Sequence, residues 1–277
     1  MKLRSYAPGL SYSEVAPLRT TGRTMPLFCV DAGNFLHMAT AMNGDQPVYG
    51  LRIVNMNMNL SVEKLATMHL EQICKIQKHG PYRFAGYSFG GLVVYEMASI
   101  LANRGEEVSL LALMDTPQPA LLRSLSPTEL RHFHKTYFAS RVAKYSRNLI
   151  RGRIDLVLSD AVKLLSKLTP IAFSMIQRLS RVLNFSMPNI ICNDSTMLTS
   201  MWNSYTPNEL KGRMVLFRAQ DRGPEFDDDP SMGWQKLVTD GVDVHFVSAD
   251  HETMMQMPHV LTLVDKLQPY LNSSQEC

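Results

Sequence analysis

The sequence predicts an α/β fold with a mostly parallel central sheet, helices on both faces of that sheet and an inserted helical lid. In the first half of the chain, apolar strand-like runs alternate with segments of helical spacing, which is typical of parallel strands joined by helices. The alternation stops at about residues 120–190 and then resumes, which indicates a helical block inserted between two strands. The chain has 277 residues, which is enough to bury one large core.

The predicted elements follow an irregular lead-in at residues 1–24, and the folded domain is expected over residues 25–277. Strands are predicted at 26–33 (ending in a small-residue loop), 46–54, 82–87, 108–115, 213–220 and 242–249. Helices are predicted at 61–80, 90–105, 197–205 and 258–271, with further amphipathic helices in the lid. Ser61 is the expected N-cap of the first helix, because its hydroxyl can accept from a free N–H of the first turn.

Composition and charge argue against several classes of function. The formal net charge of +3 is too small to indicate nucleic-acid binding, and we see no zinc-type spacing of Cys and His, so no metal site is predicted. The four cysteines are scattered along the chain, and we therefore expect reduced thiols in the cytoplasm. No signal peptide is evident, and no apolar run reaches the ~20 residues that a membrane span needs.

The main functional signal is the stretch Gly86-Tyr87-Ser88-Phe89-Gly90, which fits the pattern G-x-S-x-G. An apolar strand precedes it and a helix follows it, which is the context in which the serine lies at a strained turn and acts as a nucleophile. A side chain at either flanking glycine would collide with the neighbouring helix or strand. An ordinary glycine-rich turn would match the same five residues, but this context favours a nucleophile at Ser88.

A serine hydroxyl needs a base, and His251 has the position expected of one, just after a strand and before the last helix. The acid that orients the histidine is expected at Asp115, which ends an unbroken apolar strand. Asp221 is the alternative acid, at the end of the next strand and at the head of a polar run. Serine, acid and histidine in this order are the chain order of α/β-hydrolases.

An oxyanion hole needs two backbone N–H donors. We expect one from Phe89, the residue after the nucleophile, and the other from Gly33, in the loop that follows the strand at 26–33. Asp31 lies in the same loop, where its charge would oppose a developing negative charge if the carboxylate pointed inward. We therefore expect the Asp31 side chain to point away, towards backbone donors.

Several stretches together resemble the thioesterase domains that end nonribosomal peptide synthetases and polyketide synthases. They include "GPYRFAGYSFGG", "RGEEVSLLALMD", "VLFRAQD" and "ADHETMMQMPHV". The resemblance covers most of the chain from Pro26 to Tyr270 and is weakest across the lid. It implies an α/β-hydrolase fold. The chain departs from the family at Asp31-Ala32, where members often have His-Gly or a pair that contains proline.

The resemblance also implies a reaction. Such domains transfer an acyl or peptidyl chain from the phosphopantetheine thiol of a carrier protein to the serine, and then release it to water or as a macrocycle. It assigns Ser88 as nucleophile, Asp115 as acid and His251 as base, and it implies no cofactor of the domain's own. An acid at Asp115 is similar to the chain-terminating type, whereas the stand-alone editing type usually has its acid near the position of Asp221.

Other functions remain open at this point. The same scaffold could belong to an editing thioesterase, to a small-molecule carboxylesterase, or to an inactive module that binds acyl chains or carrier domains. The lid holds twelve Lys and Arg against three acidic residues between Ala120 and Met187, which favours docking of an acidic carrier protein over contact with an anionic membrane. A solvated helical surface would show the same excess of charge. We expect a monomer rather than a dimer.

Overall fold

A computed structural model describes residues 13–42, 44–53, 60–124, 126, 128, 194–221 and 229–273. The chain divides into two units, one formed by Met1–Ser124 with Met201–Cys277 and the other by Leu125–Ser200. In the second unit only residues 126, 128 and 194–200 are described. The predicted lid at 120–190 and its basic surface therefore lie almost wholly outside the described residues and stay predictions.

The described residues form seven strands and six α-helices. The strands are β1 (Ser13–Arg19), β2 (Leu27–Val30), β3 (Val48–Ile53), β4 (Tyr82–Tyr87), β5 (Val108–Met114), β6 (Met214–Ala219) and β7 (Val242–Val247). The helices are α1 (Leu36–Ala41), α2 (Val62–Ile73), α3 (Phe89–Asn103), α4 (Pro119–Ser124), α5 (Asp194–Ser204) and α6 (His259–Ser273). A 3₁₀ turn covers Trp234–Lys236.

The strands form one sheet in the order β1-β3-β2-β4-β5-β6-β7. Every neighbouring pair is parallel except β1 with β3. Helices α1 and α6 pack together, and so do α2 and α3. Alternate residues of the central strands, such as Leu27, Cys29 and Ala85, share one buried cluster with α1 and α6. The predicted α/β fold with a mostly parallel sheet is confirmed.

Strand β1 corrects the prediction that residues 1–24 are irregular. It pairs antiparallel with β3 at the sheet edge, and the register shifts between Pro17 and Arg19. Proline has no backbone N–H to donate, but an edge strand with a bulge tolerates Pro17. The structure also adds α1, which was not predicted, and ends α2 at Ile73 rather than near residue 80.

Other local predictions agree with the structure. The Ser61 hydroxyl accepts from the Lys64 N–H at 3.3 Å and caps α2. Cys29 and Cys74 are free thiols, and Cys192 and Cys277 lie outside the described residues. Burial raises the pKa of the Cys29 thiol, which keeps it protonated in the core.

Candidate active site

Three neighbouring strands are each followed directly by a residue of the predicted site. Asp31, Ser88 and Asp115 directly follow β2, β4 and β5, which are neighbours in the sheet. All three have positive φ angles, of 76°, 53° and 51°. Such angles cost a residue with a side chain about 1–3 kcal/mol. Because the carboxyl ends of parallel strands meet at one edge, the sheet gathers these three residues there.

Ser88 lies at a tight turn from β4 into α3, with φ 53° and ψ −121°. Two glycines make the turn possible by close packing. A Cβ at Gly86 would lie 2.4 Å from the Gly90 carbonyl oxygen, and a Cβ at Gly90 would lie 2.7 Å from the Val30 carbonyl oxygen. Since real Cβ atoms do not approach this closely, larger residues would force the backbone apart.

Hydrogen bonds hold the backbone of Ser88 from both sides. Its N–H donates to the Met114 carbonyl at 2.9 Å, and its carbonyl accepts from the Thr116 hydroxyl at 2.9 Å. The carbonyl of Thr116 in turn accepts from the indole N–H of Trp234 at 2.7 Å. These bonds join the turn after β4 to the turn after β5, and they offset the cost of the strained φ angle.

Asp115 and His251 form a direct hydrogen bond of 2.6 Å between Oδ2 and Nδ1. Asp115 is fully buried, and its Oδ1 accepts from the Ala219 N–H at 3.0 Å. The His251 side chain is 24% exposed. Because an ionised carboxylate only accepts, this contact assigns a proton to Nδ1 and leaves Nε2 as the nitrogen that can take another.

Tyr87 links this pair to the nucleophile turn, and the sequence analysis did not identify it. Its ring stacks on the His251 imidazole with centroids 4.9 Å apart, and its hydroxyl donates to the His251 carbonyl. Ser88 is the next residue in the chain. In the part of the chain that the structure describes, the Ser88 hydroxyl itself forms no hydrogen bond. Catalytic hydrogen bonds are often long in the free enzyme and tighten with substrate.

The alternative acid, Asp221, has a different environment. It is exposed, and its backbone N–H donates to the Ala249 carbonyl at 3.1 Å. The sequence left both carboxylates as candidates for the acid that orients His251. In the structure, Asp115 rather than Asp221 bonds to His251. Burial and the second bond from Ala219 hold Asp115 in one orientation, as expected of a residue that orients a histidine.

The two predicted oxyanion donors both have unpaired backbone N–H groups among the described residues. Phe89 is the first residue of α3, where no preceding helical carbonyl is available, and Gly33 is exposed in the loop after β2. The close contact between Gly90 and the Val30 carbonyl brings the start of α3 against the end of β2. The two predicted donors, Phe89 and Gly33, therefore lie in neighbouring segments at the same edge of the sheet.

Within the described residues, the Asp31 carboxylate accepts from a side chain and not from the backbone donors that we predicted. Its Oδ2 accepts from the side-chain amide of Asn34 at 2.5 Å. Partial burial raises the pKa of the Asp31 carboxyl, and the bond from Asn34 acts in the opposite direction. The short i, i+3 spacing lets the side-chain amide reach the carboxylate before any backbone donor does.

Two further predictions were that the chain has no metal site and no membrane-spanning segment. Among the described residues, no group of three or more His, Cys, Asp or Glu side chains has the arrangement of a metal site. In the same residues, every helix is too short or too polar to cross a bilayer.

Comparison with known proteins identifies the family. The sequence model of the thioesterase domain family matches residues 35–268. Malpibaldin synthetase of Mortierella alpina is 28% identical over 92% of this chain and 4% of its own length. A dimodular nonribosomal peptide synthase of Bacillus subtilis (strain 168) is 27% identical over 91% of this chain and 10% of its own length. The chain therefore spans a tenth or less of these relatives.

The fold is similar to that of a solved domain. The NocB thioesterase domain, in covalent complex with a fluorophosphonate nocardicin G analog, matches with a TM-score of 0.60 and 19% identity. The match covers 94% of this chain and all of that domain. With the family match over most of its length, the chain belongs to the thioesterase domain family and is related to the thioesterase domains of nonribosomal peptide synthetases.

Proposed function

We propose that this domain is a serine thioesterase that releases an acyl or peptidyl chain from the phosphopantetheine thiol of a carrier protein. The observation that carries the proposal is the 2.6 Å bond between buried Asp115 and His251, beside the strained turn at Ser88. A family match alone implies a hydrolase of thioesters. The pair of acid and histidine next to a serine at a strand-to-helix turn supports a covalent route through that serine.

In the first half of the reaction, His251 Nε2 takes the proton of the Ser88 hydroxyl as Oγ attacks the thioester carbon. The resulting oxyanion accepts from the N–H groups of Phe89 and Gly33. The carbon–sulfur bond then breaks, and the departing pantetheine sulfur takes the proton from His251. Asp115 keeps Nδ1 protonated throughout and stabilises the imidazolium that forms.

In the second half, water or a hydroxyl or amine of the same chain attacks the acyl-Ser88 ester. His251 takes the proton of the attacking group and returns it to the Ser88 oxygen. Water gives hydrolysis and an internal nucleophile gives a macrocycle. The partner is a carrier protein, which presents the substrate on its own phosphopantetheine, and the domain needs no cofactor for either half.

The test is covalent labelling followed by intact-mass spectrometry. A fluorophosphonate is expected to add once to the wild-type domain, at Ser88, and not to Ser88→Ala. Ser124→Ala, which removes an exposed hydroxyl at the end of α4, is the matched control and should label like the wild type. Absence of an adduct, or an adduct that persists in Ser88→Ala, would contradict the proposal.

A second measurement compares substrates. The same acyl chain is offered on a carrier protein and as a simple oxygen ester, and product formation is followed in both cases. The proposal expects a higher kcat/KM with the carrier-bound thioester. Equal or better turnover of the free ester would instead support a small-molecule carboxylesterase.

A further inference from the structure

Trp202, in the last turn of α5, has a buried indole N–H that lacks an acceptor. The Nε1 atom is shielded from solvent, and no hydrogen-bond partner lies within reach of it in the described residues. The side chain as a whole stays partly exposed. A buried donor of this kind is satisfied when a ligand accepts a hydrogen bond from it.

The unpaired donor lies next to the proposed catalytic turn. The Trp202 ring contacts the Phe89 ring, with centroids 6.5 Å apart and planes tilted by 43°. Phe89 directly follows Ser88 and provides one of the proposed oxyanion donors. A substrate joined to Ser88 would therefore begin one residue away from the residue that Trp202 contacts.

The turn that carries Trp202 is fixed by three hydrogen bonds. The Arg123 guanidinium donates from Nη1 to the Asn203 carbonyl at 2.8 Å and to the Tyr205 carbonyl at 3.1 Å. The Tyr205 hydroxyl donates to buried Glu96 in α3 at 2.8 Å. Such support holds the backbone that follows Trp202 in place before a ligand arrives, which favours selective recognition.

The second tryptophan of the chain shows how a purely structural indole is arranged here. Trp234 is fully buried, and its N–H donates to the Thr116 carbonyl at 2.7 Å. The contrast separates the two residues: one indole N–H is bonded within the fold, and the other is left unpaired beside the site.

We propose that the Trp202 N–H donates to an amide carbonyl oxygen of the bound thioester and so favours substrates that present an amide at this position. The inference rests on the proposed function, because it assumes a thioester bound at Ser88. An indole N–H can only donate, so it matches a carbonyl oxygen, and an alkyl chain in the same place would leave it unpaired. The carbonyl could belong to the acyl chain or to the pantetheine arm.

Kinetics with matched substrates test the proposal. Two acyl chains of equal length, one with an internal amide and one with methylenes instead, are each prepared as thioesters of pantetheine and of ethanethiol. Trp202→Phe keeps an aromatic ring against Phe89 and removes the donor. We expect it to lower kcat/KM about tenfold for substrates whose amide meets the indole, and to leave the others nearly unchanged.

The pattern of loss identifies the source of the carbonyl. If kcat/KM falls only for the substrates with an amide in the acyl chain, the carbonyl belongs to the acyl chain. If it falls only for the pantetheine thioesters, the carbonyl belongs to the pantetheine arm. A loss that is equal for all four substrates, or no loss at all, would overturn the inference. Trp234→Phe is the matched control, since it removes a bonded indole and should affect all four substrates alike.

Nuclear magnetic resonance provides a readout that requires labelling at Ser88 but does not depend on turnover of a substrate or on a variant that folds. The wild-type domain is labelled with ¹⁵N-tryptophan and phosphonylated at Ser88 with an amide-containing or an all-methylene fluorophosphonate, with and without added pantetheine. We expect the Trp202 indole proton to move downfield only where an amide is offered, while the Trp234 signal stays in place. Identical Trp202 signals in every sample would overturn the inference.

Failure of the inference and failure of the proposed function look different. If the wild-type domain neither labels at Ser88 nor cleaves any of the four thioesters, the proposed function fails and the inference fails with it. If the wild type cleaves them all and Trp202→Phe shows no selective loss, the inference alone fails.

Discussion

Residues with positive φ lie directly after three of the parallel strands and shortly before five strands, and the two groups use different residue types; Met232 and Gly233, with φ of 52° and 90°, belong to neither group. At the carboxyl edge these residues carry side chains: Asp31, Ser88 and Asp115 follow β2, β4 and β5. At the amino edge the corresponding residues are glycines. They lie in the segments before β2, β3, β5, β6 and β7, and they are Gly22, Gly44, Gly105, Gly212 and Gly241.

The difference indicates that the carboxyl edge of the sheet carries the functional side chains. Glycine adopts positive φ without a steric penalty, so the amino edge turns at little cost. The carboxyl edge retains a serine and two aspartates in the same conformation, although glycine would be less strained there. A side chain kept at such a cost is expected to matter for what it does rather than for how the chain turns.

The largest loss of activity from a change that keeps the nucleophile is expected at Asp115. Asp115→Asn can still accept from the Ala219 N–H, but its amide group can also donate towards His251 Nδ1 and so favours the wrong tautomer. We expect kcat to fall about 10³–10⁴-fold with little change in melting temperature. Thioester hydrolysis and thermal unfolding measure the two quantities.

The control for this prediction is the other candidate acid. Asp221→Asn changes an exposed carboxylate after the next strand and should leave kcat within about twofold, as surface changes usually do. If Asp221→Asn were the more damaging substitution, the assignment of Asp115 as the orienting acid would be wrong.

Local patterns predicted the parts of the site that depend on neighbouring residues. The strained turn at Ser88 requires only a strand, two close glycines and a helix, and all of these are continuous in the sequence. The order of strands then predicts that loops after parallel strands meet at one edge. The place of His251 after a strand and before the last helix, and that of Asp115 at the end of an unbroken apolar strand, selected two residues whose side chains are in direct contact in the structure.

Contacts between distant residues could not be predicted in the same way. Tyr87 contacts His251, which lies 164 residues further along the chain. From the local sequence alone, Tyr87 is indistinguishable from the other apolar residues of its strand. Strand β1 was missed because an edge strand that contains proline has a weak local pattern, and its pairing with β3 joins residues that are distant in the chain. Trp202 lay in a segment predicted to be helical, but the contact with Phe89 exists only in the fold.

A second prediction concerns stability away from both edges. His69 in α2 is fully buried, and burial lowers its pKa to about 3, from about 6.5 when unfolded. Between these values the unfolded chain binds the extra proton, so stability is lost as the pH falls from about 6.5 towards 3. The slope for one proton is about 1.4 kcal/mol per pH unit.

Denaturant unfolding at a series of pH values measures this slope. His69→Asn, which cannot titrate in this range, should show a slope that is smaller by that amount, and activity at neutral pH should persist in the fraction that folds. His37→Asn, a change at an exposed histidine of α1, is the control and should keep the wild-type slope. An unchanged slope in His69→Asn would mean that other groups cause the acid sensitivity.

The smallest expected change in stability is the most direct test of the two edges. Ser88→Gly relieves a strained residue and should stabilise the domain by about 1 kcal/mol, while it removes the nucleophile and abolishes thioester cleavage. Gly105→Ala, at φ 75° with open space around its Cα, should destabilise by about 1 kcal/mol and leave cleavage unchanged. Denaturant unfolding and a thioester assay measure both. Changes of opposite sign in the free energy of unfolding would support the view that the carboxyl edge is less stable because it carries the functional side chains. A loss of stability in both variants would contradict it.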